Sequence, residues 1–148
     1  MSRHRPCALI PVYNHGRTVA AVARGLRAQG LPCVLIDDGS EPDCAAVLDA
    51  LAREPGMHLV RRSANGGKGM AMLDGFRAAD KLGYSHALQI DADGQHAVQD
   101  VERFLALSRA CPEALIGGAP LYGADAPRAR LYGRWLTRVW VWINTLSL

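Results

Sequence analysis

Two patterns alternate along the chain from residue 7 to residue 117. Cys7-Ala-Leu-Ile-Pro-Val12 is a short apolar run closed by the polar Tyr13-Asn14-His15-Gly16, which predicts a buried strand delivering its C-terminal end to a loop. Apolar residues then recur at helical spacing from Thr18 to Gln29 and stop at Gly30, the mark of a helix and its exit. The same step repeats with a strand Cys33–Asp37, a turn at Asp38-Gly39-Ser40, a helix from about Asp43 to Arg53 and a strand Met57–Arg61. A loop Ser63–Gly67 leads into a helix ending near Leu82, then a strand His86–Asp91, a helix Gln99–Ala110 and a strand Ala114–Gly117. Strands alternating with helices of this length predict right-handed crossovers and an α/β fold, a mainly parallel sheet with helices on both faces. No internal repeat and no linker interrupts Cys7 to Gly118.

Each polar cluster directly follows one of these strands: Tyr13-Asn14, Asp37-Asp38-Gly39-Ser40, Asn65-Gly66-Gly67-Lys68 and Asp91 to His96. Ligands of open α/β sheets bind at the carboxyl ends of the strands, so four loops are expected to converge on one crevice.

The segment Pro127–Leu148 is of another kind. Leu131, Tyr132, Trp135, Leu136, Val139, Trp140, Ile143 and Leu146 follow i, i+3, i+4 spacing, with Arg130, Arg134 and Arg138 on a neighbouring face. That is a basic amphipathic helix carrying the chain's three tryptophans. It suits a bilayer surface or packing against the rest of a longer chain, and both readings stand. The expected division is residues 1–126 and 127–148, and a helix that stops at Leu148 with no C-cap and no polar tail reads as a truncated end.

Composition narrows the classes. With 49% hydrophobic and 21% charged residues, 148 residues can bury a core. A net charge of +3 and 6% aromatics give no electrostatic or stacking case for nucleic acid. Cys7, Cys33, Cys44 and Cys111 are far apart with no C-x-x-C pair and read as reduced, buried and cytosolic. No export signal is visible, and no run of ~20 apolar residues crosses a membrane.

The chemistry concentrates at the strand ends. Asp91 and Asp93 close an apolar strand with one residue between them, so two carboxylates stand where backbone geometry is fixed. Hard oxygen ligands of this kind suit Mg²⁺ or Mn²⁺, Gln95 can add a neutral oxygen, and Gly94 allows close backbone approach. In Asp37-Asp38-Gly39-Ser40 one aspartate is expected to cap the turn and the other to bind a ribose or a base. Asn65-Gly66-Gly67-Lys68-Gly69 resembles a phosphate loop, but Met70 stands where a P-loop needs Ser or Thr, which excludes a P-loop ATPase. Its glycines suit close approach to a nucleotide, with Lys68 supplying charge, or else a plain turn. Tyr13 and Asn14 offer an aromatic face and an amide. His4, His15, His58 and His86 share no metal-ligand spacing, His96 reads as an acceptor-side residue or a polar group at a helix start, and Ser40 and Ser63 have no evident base partner.

Taken in order, P-V-Y-N, I-D-D-G-S, N-G-G-K-G-M-A and D-A-D-G-Q-H resemble family 2 glycosyltransferases of the GT-A (Rossmann-like) fold, in particular the dolichyl- or polyprenyl-phosphate sugar synthases. The resemblance covers Ala8 to about Gly118. It implies a nucleotide-sugar-binding domain and metal-assisted, inverting transfer of a sugar from a UDP- or GDP-sugar to a lipid-linked or amphiphilic acceptor, at the cytoplasmic face of a membrane. By the same resemblance Pro11, Tyr13, Asn14, Ile36, Asp38, Gly39, Lys68 and Ala92 contact the donor. Asp91, Asp93 and Gln95 hold the metal, with Asp93 also the catalytic carboxylate. His15 stands where those synthases carry an acidic residue, Ala97 and Val98 where they carry prolines, and Pro120 where they carry an arginine. Two other classes use similar parts. A nucleotidyltransferase needs a glycine-rich loop after the first strand, which Pro11–Gly16 matches poorly, and a non-catalytic fragment would bind the nucleotide alone.

Overall fold

The computed structural model describes residues 4–94 and 100–118, almost all within one compact unit, Met1–Ile116. Gln95 and the amphipathic segment 127–148 lie outside the described residues.

Among the described residues eight elements follow in strict alternation: β1 (Pro6–Val12), α1 (Gly16–Ala28), β2 (Cys33–Asp37), α2 (Pro42–Leu51), β3 (Met57–Arg61), α3 (Lys68–Lys81), β4 (His86–Gln89) and α4 (Val101–Ala110). The four strands form a parallel sheet in the order β3-β2-β1-β4, with Ala8 opposite Cys33, Cys33 opposite Met57 and Pro6 opposite His86. This is a parallel α/β sheet with helices on both faces.

The central strands are apolar without interruption because both their faces are covered. Ala8, Ile10 and Val12 of β1 point into one core, packed on Val19, Val22 and Leu26 of α1, Leu48 and Leu51 of α2 and Val101 of α4. Cys7 and Leu9 point the other way and join Val34 and Ile36 of β2 under Ala71, Met72 and Ala79 of α3. The two-residue period of the strand thus divides one apolar run between two layers.

Two expectations are corrected. Ala114–Gly117 is not a strand: the Ala114 N–H turns back to the Cys111 carbonyl at 3.1 Å and Leu115 is fully exposed. A four-residue apolar run carries too little periodicity to separate a strand from an extended surface segment. Cys111 is exposed at the end of α4, whereas Cys7, Cys33 and Cys44 are buried as free thiols. Burial pushes the Cys7 and Cys33 thiols up to about 12. Among the described residues no helix is long and apolar enough to cross a membrane.

Asp37 caps the turn after β2 from inside the fold. Its carboxylate is 1% exposed and accepts the Ser40 N–H at 2.9 Å and Arg61 Nε at 2.8 Å. Burial alone raises its pKa, but the bonds from Ser40 and Arg61 together outweigh burial and hold it below the ordinary carboxylate value. A carboxylate depressed in the folded state contributes stability above its unfolded pKa of about 4, which is lost as the pH falls through the folded value. Thermal melts of the wild type should therefore drop steeply below about pH 4, and Asp37→Asn, less stable at neutral pH, should show a flatter acid limb. Parallel acid limbs for the two proteins would remove Asp37 from the explanation.

Candidate active site

The carboxyl ends of β1, β2 and β4 open into a cavity of about 260 Å³. From β1 and the loop after it come Pro11, Val12, Tyr13 and His15, and from the turn after β2 comes Asp38. The turn before α3 adds Asn65, Gly67 and Lys68, and the turn after β4 adds Asp91, Ala92 and Asp93. Ala71 of α3 forms part of the floor.

Of the residues singled out in the sequence, Pro11, Tyr13, Asp38, Lys68, Asp91, Ala92 and Asp93 are thus brought together. Tyr13 is half exposed, its ring available at the mouth. Of the other described residues, Ile36, Asn14 and Gly39 do not line the cavity. Ile36 is fully buried beneath α3. Asn14, in the left-handed region with φ 58°, donates its N–H to Ser40 Oγ at 3.1 Å and accepts the Glu41 N–H on its side-chain oxygen at 2.8 Å. It therefore laces the loop after β1 to the loop after β2. Gly39 forms the tight turn between them and lies against the backbone of Ala64 and Asn65.

Asp91 and Asp93 stand on the same wall because β4 fixes the backbone entering the turn, and the Ile90 N–H extends the ladder to the Leu9 carbonyl at 3.0 Å. Thr18 in the first turn of α1 donates its hydroxyl to the Ala92 carbonyl at 2.5 Å, pinning the peptide between the aspartates. Lys68 reaches Asp91 with Nζ to Oδ1 at 2.6 Å.

Two helices also begin at this cavity, α1 behind His15 and α3 behind Gly67. Neither has an acidic residue in its first turn or a side-chain cap bond at its start. Their terminal N–H groups and the positive ends of their dipoles favour an anion there.

Among the described residues no group of three or more His, Cys, Asp or Glu side chains is arranged to enclose a metal ion. Mg²⁺ and similar ions are commonly held by one or two carboxylates, water and substrate phosphates. Asp91 and Asp93 line the cavity together and are two carboxylates, too few to cage an ion by themselves.

Sequence reasoning passed over Thr18 and Arg62, and gave His15 no place in the site. Thr18 stands in the first turn of an amphipathic helix, directly before the buried Val19. Arg62, between the end of β3 and the glycine-rich loop, faces Asp38 and Asp74. The available signal was only its place, a basic residue directly after β3 at the carboxyl end of the sheet.

A family model for glycosyl transferase family 2 matches residues 7–145. The chain belongs to glycosyltransferase family 2. Among curated members, polyprenol monophosphomannose synthase of Mycolicibacterium smegmatis is 33% identical over 118 residues, 76% of this chain and 44% of that protein. Undecaprenyl-phosphate mannosyltransferase of Micrococcus luteus is 30% identical over 105 residues, 68% of this chain and 43% of the relative. This family 2 chain therefore spans less than half the length of these relatives. Among solved structures, S. aureus TarS 1–349 superposes with a TM-score of 0.62 at 16% identity, covering 83% of this chain and 38% of that one, a likeness of fold.

Proposed function

We propose that this family 2 domain binds a UDP- or GDP-sugar in the cavity at the strand ends and transfers the sugar, with inversion, to a lipid-linked acceptor. The observation that carries the reading is the joining of Asp91, Asp93 and Lys68 with two helix N-termini around one cavity. A nucleoside diphosphate leaves with more negative charge than it had as an ester, so groups placed to receive that charge lower the barrier. Lys68 and the N–H groups at the start of α3 are such groups, and Tyr13 and Pro11 offer an apolar face to the base. An Mg²⁺ or Mn²⁺ ion shared by Asp91, Asp93 and the diphosphate would supply further charge neutralisation when bound, with Gln95 completing the set. The relatives' names speak of polyprenol and undecaprenyl phosphate, which supports a lipid phosphate as acceptor. Such a phosphate oxygen is already anionic at neutral pH, so its attack on the anomeric carbon needs little help from a general base. Acceptors of this kind place the reaction at a membrane surface.

Calorimetric titration with UDP and GDP, each with and without Mn²⁺, tests the reading. Binding of one nucleotide at about 1 μM to 1 mM that depends on the metal is the expected result. A folded sample that binds neither would sink the proposal.

A further inference from the structure

Asp38 lies 3% exposed at the end of β2, and its carboxylate is surrounded by donors. Oδ1 takes the Gly66 N–H at 3.0 Å and a short ion pair from Arg62 Nη1, and Oδ2 takes the Gly67 N–H at 2.9 Å. Arg62 is itself largely buried and turns its Nε to Asp74 Oδ2 on α3 at 3.0 Å. Gly66 lies so close to this guanidinium that a Cβ there would collide with it. Gly67 is the N-cap of α3, and Lys68, the next residue, carries its amine to Asp91.

These contacts form one physical line from Arg62 through Asp38 and two peptide N–H groups to Lys68. A carboxylate so buried holds its charge at tolerable cost because a guanidinium neutralises it. The fork of that guanidinium, fixed at its other side by Asp74, sets where the carboxylate oxygens point. Two adjacent N–H groups bound to one carboxylate then fix both the position and the tilt of the peptides that launch α3.

We infer that Arg62 is a positioning residue of the donor site: standing behind the cavity wall, it acts through Asp38 to hold Gly66 and Gly67 and so aims Lys68 at the diphosphate. The inference rests on the nucleotide-binding reading given above. A merely structural Arg62 would support the fold without any particular coupling to Lys68.

A double-mutant cycle separates the two. Arg62→Lys keeps the charge beside Asp38 but gives up the fork that spans Asp38 and Asp74. Affinity for the metal-supported nucleoside diphosphate is measured by calorimetry for this variant in the wild-type and Lys68→Ala backgrounds, and amide exchange is followed by NMR at Gly66 and Gly67. The expected result is about a tenfold loss of affinity in the wild-type background and less than about twofold in the Lys68→Ala background, with exchange at the two glycines faster by about tenfold and β1 amides unchanged. Equal losses in both backgrounds, or unchanged exchange at the glycines, overturn the inference. Asp74→Asn, which weakens the clamp from its far side on α3, should show the same coupling in smaller measure and replaces Arg62→Lys if that variant does not fold. Should the wild type bind neither UDP nor GDP, the nucleotide reading has failed, and exchange alone decides: acceleration confined to Gly66 and Gly67 supports the clamp, and its absence overturns it.

Discussion

Asp93→Asn should lower sugar transfer by about a hundredfold or more while shifting the melting temperature by no more than a few degrees. Asp93 lies on the cavity wall in the turn after β4, outside both apolar cores, so a neutral side chain of the same shape leaves the packing in place. What it removes is one of the two negative charges that would share a cation with the departing diphosphate, an interaction strongest when that group leaves. Asp91→Asn should be comparably damaging, and it also takes away the acceptor of the Lys68 ion pair. The measurement is steady-state transfer to a polyprenyl phosphate over a range of Mn²⁺ concentrations. A rate within a few-fold of wild type at saturating metal would mean that these carboxylates are turn residues and that the donor lies elsewhere.

The largest stability effect is expected at Gly39. Its φ of 74° is costly for any residue with a Cβ, and a Cβ built there stands 2.7 Å from the Ala64 carbonyl carbon and the Asn65 nitrogen. Both of those are backbone atoms, which cannot swing aside as the tip of a side chain does. The backbone conformation costs about 1–2 kcal/mol and the overpacking about 1–3 kcal/mol more. Gly39→Ala should therefore melt roughly 10 °C lower than wild type. Gly30→Ala is the natural control, because φ is 78° there but nothing lies within 4 Å of the added carbon. It should lose about 1–2 kcal/mol, the conformational part alone. Equal melting temperatures for the two variants would show that the turn after β2 is not packed on residues 64 and 65. Nucleotide affinity should fall with Gly39→Ala as well, since the displaced backbone carries Asn65 into the cavity wall.

Much of this was legible in the residues. The alternating apolar runs and helical periods gave the eight elements and the parallel sheet, because a buried parallel strand has no polar face to blur the pattern. The convergence of the polar loops followed from topology, and the structure brings all four to one cavity. Helix starts were less legible: α1 begins at Gly16 with no side-chain cap bond to announce it, so the first apolar residues of its repeat suggested a later start at Thr18. That one aspartate of the Asp37-Asp38 pair caps the turn was expected from the residues, which left open the one it is. Asp37 turns out to hold the turn through Ser40 and Arg61, and Asp38, although it lines the cavity, spends its oxygens on Arg62, Gly66 and Gly67. Apart from Ser40, these partners lie more than twenty positions away, and no local pattern encodes them. Thr18 with Ala92 is the same case, a contact created by the fold between the first helix and the last loop.

The order of the strands also governs when this cavity can exist. β1 is made first, yet it is interior to the sheet, and one of its two partners is β4, whose His86 pairs with Pro6 near the start of the chain. A nascent chain can join β1, β2 and β3 through successive crossovers, but the far edge of β1 waits until synthesis has passed β4, about eighty residues later. Contacts so distant in sequence make the closing step slow. Until then the wall bearing Tyr13 and Asp38 has no opposite wall, because Asp91 and Asp93 arrive with β4 itself. Ligand binding is in this sense a report on completed folding: a chain that has assembled three strands has a core but no site.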